Sequence, residues 1–219
     1  MIQSTESPRP DTTLWSIAVD GEKTQAVLER ASGQGHALFV AAHGAGSHRD
    51  HRSMLELSQA LRAHGFDVVR FNFLYRENGR RVPDPMPKLM ACFSSVVAQA
   101  RSELGSRKLI IGGRSMGGRA ASMLAAEGFA CDGLLLLAYP LHPAARPDRL
   151  RKEHLPRIRT PVLCVNGTRD ALCTKELMDA AIAHLGWDMR WLEGKDHSFR
   201  VTGEIGAMAA QWLSRLSTR

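Results

Sequence analysis

The chemistry-bearing stretch of this chain is LIIGGRSMGGR at 109–119, where an apolar run breaks into glycine pairs on either side of Ser115. A G-x-S-x-G pattern needs its small residues because the serine occupies a strained turn between a strand and a helix. Bulk at Gly113 or Gly117 would clash with the neighbouring backbone. Such a turn lifts the hydroxyl clear of a sheet and aims the free N–H groups of the new helix at charge developing on a substrate carbonyl. A serine hydroxyl is a poor nucleophile until a base takes its proton, so the chemistry implied is acyl transfer assisted by a histidine and an acid. The other use of a glycine-rich turn is to cradle a phosphate. That requires Gly-Lys followed by Ser or Thr, whereas Gly118 is followed by Arg119 and Ala120.

Two later loops supply the partners. His197 lies in KDHSF at 195–199, and Asp170 closes NGTRD at 166–170. His197 would take the Ser115 proton, while Asp170 would hold the imidazole in the right tautomer and stabilise its charged form. The rival acid is Asp196, but adjacent side chains on an extended loop diverge, which favours Asp170. One oxyanion donor is expected to be the backbone N–H of Met116, and a second is expected from HGAG at 43–46. His43, which opens that loop, is expected to bond nearby backbone and fix the loop's shape, with a place beside the substrate as the alternative. Arg114, Arg119, His142 and the loop at 75–88 fall near the same edge. They could favour an anionic group, or be arginines that snorkel over apolar surface into solvent. His48, Asp50 and His51 match no zinc spacing and read as a solvated loop, so neither metal nor cofactor is expected.

Short apolar runs that alternate with helical patterns must position these residues. Leu14 to Val19 and Gln25 to Glu29, joined at Asp20-Gly21, read as a hairpin. Further strands are expected at 37–42, 67–73, 108–112, 133–139, 161–165 and 188–192. Leu89, Phe93, Val96, Val97, Ala100 and Leu104 form one helical stripe, and Met54, Leu57 and Leu61 another. Thr174 is expected to cap a helix carrying Leu177, Met178, Ala181, Ile182 and Leu185 that stops at Gly186, and Ile205, Met208, Trp212 and Leu216 mark the last helix. Runs as continuous as LLLLAY at 134–139 belong to strands buried on both faces, hence to a mainly parallel sheet covered by helices on both sides. In such sheets ligands sit outside the carboxyl ends of the strands, where all four loops above fall. The order Ser115, Asp170, His197 is the order of an α/β-hydrolase and of no other serine-triad fold. The expected architecture is therefore an α/β-hydrolase fold of about seven to eight strands with no cap domain, because the segment from His142 to Thr160 holds one short helix at most. Residues 1–13 read as a loose leader and 14–219 as a single domain.

Composition narrows the function classes. A formal charge of +7 with 44% hydrophobic and 23% charged residues describes an ordinary globular chain. Its basic residues are dispersed, without interleaved aromatics, so nucleic-acid binding is not expected. No run is long enough to cross a bilayer, and the four cysteines show no C-x-x-C spacing. The expectation is a cytoplasmic protein, monomeric or homodimeric.

HGAG at 43–46, GGRSMGGR at 112–119, YPLHP at 139–143, NGTRD at 166–170 and KDHSF at 195–199 together resemble the small lidless serine hydrolases of the dienelactone-hydrolase-like superfamily. The resemblance runs from about Trp15 to the C-terminus and extends to a branch that includes hydrolase-like subunits of a nuclear acetyltransferase complex. It implies Ala45 as the second oxyanion donor. Dienelactone hydrolases use cysteine where this chain has Ser115, so their ring-opening substrate does not carry over. The reaction expected is cleavage of small or exposed carboxylic esters or thioesters through an acyl-enzyme. The alternative is a non-catalytic interaction subunit that kept the fold.

Overall fold

The computed structural model describes residues 12–105 and 107–216. Eight strands form one sheet: β1 (Thr12–Val19), β2 (Glu22–Glu29), β3 (Ala37–Ala42), β4 (Phe66–Phe71), β5 (Lys108–Arg114), β6 (Gly133–Leu137), β7 (Val162–Gly167) and β8 (Asp188–Leu192). Their spatial order is β1-β2-β4-β3-β5-β6-β7-β8. The β1–β2 and β2–β4 pairings are antiparallel, and every other pairing is parallel. β1 starts earlier than the apolar pattern suggests, because Thr12 and Thr13 pair with Glu29 and Leu28. Residues 1–11 of the expected leader lie outside the described residues.

Successive strand residues point to opposite faces, so an unbroken apolar run feeds two cores at once. In β3, Ala37, Phe39 and Ala41 face one core and Leu38, Val40 and Ala42 face the other. The first core is closed by α1 (Arg52–Arg62) and α6 (Gly203–Leu216), through Met54, Leu57, Leu61, Ile205, Ala209 and Trp212. The second is closed by α3 (Met86–Leu104), α4 (Met116–Ala126) and α5 (Lys175–Ile182), through Leu89, Phe93, Ala120, Leu124 and Met178. The helical stripes of the sequence are thus the surfaces that cover a sheet buried on both sides.

Further elements differ from the sequence pattern: β6 ends at Leu137, two residues before Tyr139, and α5 ends at Ile182, short of Leu185. β4 ends at Phe71 because Phe73 opens a short helix, α2 (Leu74–Glu77), whose four residues are too few to display a helical period. Thr174 does precede α5, but its side chain makes no capping bond. Between β6 and β7 the only helical element among the described residues is a 3₁₀ turn, Leu155–Arg157, so nothing roofs the carboxyl edge of the sheet from this segment. Among the described residues no helix is long and apolar enough to cross a membrane.

Candidate active site

The site is built from the residues that follow β3, β5, β7 and β8. Ser115 stands between β5 and α4 with φ 52° and ψ −118°, a conformation that L-residues other than glycine seldom adopt. Its N–H donates to Leu137 O at 2.9 Å, and its carbonyl accepts from Arg119 N at 3.0 Å, so the backbone overdetermines the strained turn. Gly113 has φ +144°, and a Cβ there would overlap the carbonyl oxygen of Ala42; a Cβ at Gly117 would strike the same carbonyl. The two glycines therefore let the turn press against β3, which brings the loop at 43–46 beside the serine.

His197 Nε2 lies 2.9 Å from Ser115 Oγ. Its Nδ1 lies 2.9 and 2.8 Å from the two carboxylate oxygens of Asp170. An anionic acid can only accept, so this network assigns the proton to Nδ1 and leaves Nε2 to accept from the serine hydroxyl. Asp170 is 5% exposed, and a buried charge must be hydrogen-bonded to be tolerated. Leu172 N donates to its Oδ1 at 2.8 Å and Asn166 Nδ2 to its Oδ2 at 3.3 Å. Asn166 also braces the backbone of Tyr139, accepting from its N–H at 2.9 Å and donating to its carbonyl at 3.1 Å. Sequence reasoning missed this residue. It lies within the NGTRD stretch, but a buried asparagine has no periodic or compositional signature. Asp196 is not part of the arrangement, since its carboxylate accepts from Ser198 N at 2.8 Å.

A cavity of about 250 Å³ opens over Ser115 and His197, walled by the backbone of Gly44, Ala45 and Gly46 and by Ser47, His51 and Arg114. Met116 is the first residue of α4, so its N–H has no partner within the helix. Ala45 borders the same cavity from the opposite loop. A larger groove of about 510 Å³ lies at the amino ends of β7 and β8, around Trp187 and Trp212. Among the described residues that line it, no nucleophile stands beside a base.

The three residues expected to line substrate separate cleanly. His43 is fully buried: its Nδ1 donates to Gly44 O at 2.8 Å, its Nε2 accepts from Phe73 N at 3.2 Å, and burial lowers its pKa to about 4. It shapes the loop as a neutral side chain. His142 does not line the cavity. It is 2% exposed, and its Nε2 accepts from Thr174 N at 3.0 Å and contacts Thr174 Oγ1 at 3.0 Å, which ties the chain after β6 to the start of α5. Arg114 does border the cavity, but its Nη2 donates to His197 O at 2.6 Å.

A second serine and histidine meet elsewhere. Ser122 Oγ lies 2.9 Å from His154 Nε2 and 3.0 Å from Tyr139 OH, with Tyr139 OH 3.0 Å from the same nitrogen. No carboxylate joins this triangle, and Ser122, inside α4, is completely buried, so no substrate carbonyl reaches it. Asp50, from the loop read as solvated, pairs with Arg70 and Arg49, and His51 caps α1 by accepting from Ser53 N. Burial pushes the thiols of Cys92 and Cys173 up to about 12 and that of Cys131 to about 11, so they are poor nucleophiles.

A model of the family described as an alpha/beta hydrolase domain matches residues 35–219. Among solved structures, the chain is similar to Est1E from Butyrivibrio proteoclasticus with ferulic acid bound, at 18% identity and a TM-score of 0.79 over 94% of this chain and 100% of that one. It is also similar to a dienelactone hydrolase from Anabaena variabilis, at 20% identity and a TM-score of 0.74 over 94% and 98%. A serine hydrolase without lid from Xanthomonas campestris aligns at 15% identity and a TM-score of 0.75 over 94% and 95%. At these identities the likeness speaks for the fold.

Proposed function

The chain belongs to the alpha/beta hydrolase domain family, and on that premise we propose that it is a serine hydrolase cleaving compact carboxylic esters or thioesters through an acyl-enzyme. The observation that carries this reading is the continuous hydrogen-bonded line from Ser115 Oγ through both imidazole nitrogens of His197 to Asp170. Ser115 Oγ adds to the substrate carbonyl carbon while His197 Nε2 takes the hydroxyl proton. Asp170 keeps the ring in the Nδ1–H tautomer and stabilises the imidazolium. The carbonyl oxygen becomes an oxyanion, which accepts from the N–H groups of Met116 and Ala45. Each such donor is worth about 3 kcal/mol of transition-state stabilisation. Collapse expels the alcohol or thiol, which takes the proton held by His197. Water then attacks the acyl-enzyme by the same route, returning the acid and the free serine.

The lining of the cavity supports a compact, polar substrate. Glycine backbone, serines, histidines and one arginine surround Ser115, and among the described residues no aliphatic side chain larger than alanine borders the space. A long acyl chain would lie against polar groups there, and a hydrophobic pocket is what such chains require. One triad serves esters and thioesters alike, so both remain within the proposal.

The test is labelling with a fluorophosphonate followed by peptide mass spectrometry, together with hydrolysis of p-nitrophenyl acetate. Label is expected on Ser115, undiminished in Ser122→Ala and lost in Ser115→Ala, with hydrolysis abolished in Ser115→Ala and His197→Ala. Absence of label from the wild type, or unchanged hydrolysis in both alanine variants, sinks the catalytic reading and favours an interaction subunit.

A further inference from the structure

Arg114 immediately precedes Ser115 and closes β5, where its backbone pairs with Leu137. Its side chain does not reach into the cavity as a free charge. Nη2 donates to the carbonyl oxygen of His197, 83 residues away, at 2.6 Å. The guanidinium lies over the ring of Phe199, 4.7 Å from its centroid, and Phe199 is itself 5% exposed in the core beneath α1 and α6. Nη1 is shut off from solvent and makes no hydrogen bond among the described residues. Both anchors, the His197 carbonyl and the Phe199 ring, belong to the irregular segment between β8 and α6 that carries the histidine.

These contacts join the two halves of the reacting pair. Ser115 is fixed by the turn after β5, whereas His197 sits on a loop with no sheet partners and has a side chain 26% exposed. The loop is tied to the segment after β7, where Arg169 N donates to Lys195 O at 2.8 Å and Asp170 meets His197, and to β5 by the Arg114 contact. A guanidinium–carbonyl bond is charge-assisted and directional, and the ring contact adds a cation–π attraction at a half-buried site. We propose that Arg114 is a positioning residue, a strut from the serine-bearing strand to the backbone of His197 and the ring of Phe199 that holds the imidazole in line with Ser115. Arg114 therefore acts on the chemical step and not on substrate capture. This rests on the hydrolase reading above.

The experiment compares wild type, Arg114→Met and Arg114→Lys by p-nitrophenyl acetate kinetics and by the rate of fluorophosphonate labelling. Wild-type labelling at Ser115 tests the hydrolase reading by itself, so its failure is seen before any variant is made. Given a labelled wild type, Arg114→Met is expected to lower kcat and the labelling rate by about 10- to 100-fold, the scale of a misplacement near 1 Å, with KM within about twofold. Arg114→Lys keeps a cationic donor for the carbonyl and the ring, and is expected to recover most of the loss. If Met destabilises the chain, Arg114→Gln keeps a polar group in the slot but is too short to span it, and is expected to show the same division between kcat and KM. Unchanged kcat in Met or Gln, a loss expressed in KM, or a Lys variant as impaired as Met overturns the proposal.

Discussion

Asp170 meets His197 with both carboxylate oxygens, at 2.9 and 2.8 Å from Nδ1, while the neighbouring Asp196 turns its carboxylate to the N–H of Ser198. Two acids within reach of one histidine in sequence thus have separate tasks in space. The difference arises because Asp170 leaves the end of β7 pointing into the site, whereas Asp196 closes a local turn in the histidine loop.

Asp170→Asn retains the shape of the side chain but presents an amide that favours the wrong tautomer of His197. A fall in kcat of about 10³- to 10⁴-fold on p-nitrophenyl acetate is expected, against a change of less than about threefold for Asp196→Asn. Equal losses in the two variants would reverse the assignment.

The glycines near the serine divide into two kinds. A methyl group at Gly117 would overlap the Ala42 carbonyl, which is backbone and cannot step aside. Gly117→Ala is expected to lower stability by about 3 kcal/mol or more in urea unfolding. At Gly44 an added Cβ would meet Ser115 Cβ at 3.4 Å and Arg114 O at 3.5 Å, which is ordinary contact. Gly44→Ala should therefore unfold within about 1 kcal/mol of wild type while hydrolysing ester more slowly, because the methyl group stands beside Ser115, the proposed nucleophile.

His154 and His43 are buried, and both have pKa values lowered to about 4 by that burial, with the charges of Arg119 and Arg157 adding to the effect at His154. In the unfolded chain both return to about 6.5. Between those values the unfolded state binds protons that the folded state refuses. Stability therefore is full above about pH 6.5, falls as the pH drops through the window, and levels off below about pH 4, by up to about 3 kcal/mol for each histidine. The carboxylates with lowered pKa, such as Glu29 and Asp50, contribute stability that is lost only further into acid, so the upper part of this window belongs to the histidines. His154→Gln keeps an acceptor for Ser122 or Tyr139 but cannot titrate. The drop in urea midpoint from about pH 7.5 to about pH 5 should be smaller in this variant than in wild type. An identical drop would show that His154 is protonated alike in both states.

The sequence by itself determined the succession of strands and of every helix but α2, the serine turn, and the loops that carry Asp170 and His197. Continuous apolar runs of five or six residues, bounded by turn residues, fit strands covered on both faces. Glycines spaced around Ser115 can only serve a turn that other residues would block. Both are consequences of local sterics and period, which the chain carries wherever it folds. Tertiary structure alone decided what the polar side chains touch. It withdrew His142 from the cavity to bond Thr174, 32 residues away, placed Asn166 behind Asp170, closed the triangle of Ser122, Tyr139 and His154, and turned Arg114 from a prospective ligand for substrate into a bond with the backbone of His197. Apart from Asn166 and Asp170, those partners lie 15 or more residues apart along the chain, and a hydrogen bond between any of them depends on a few tenths of an ångström of packing that no residue pattern encodes.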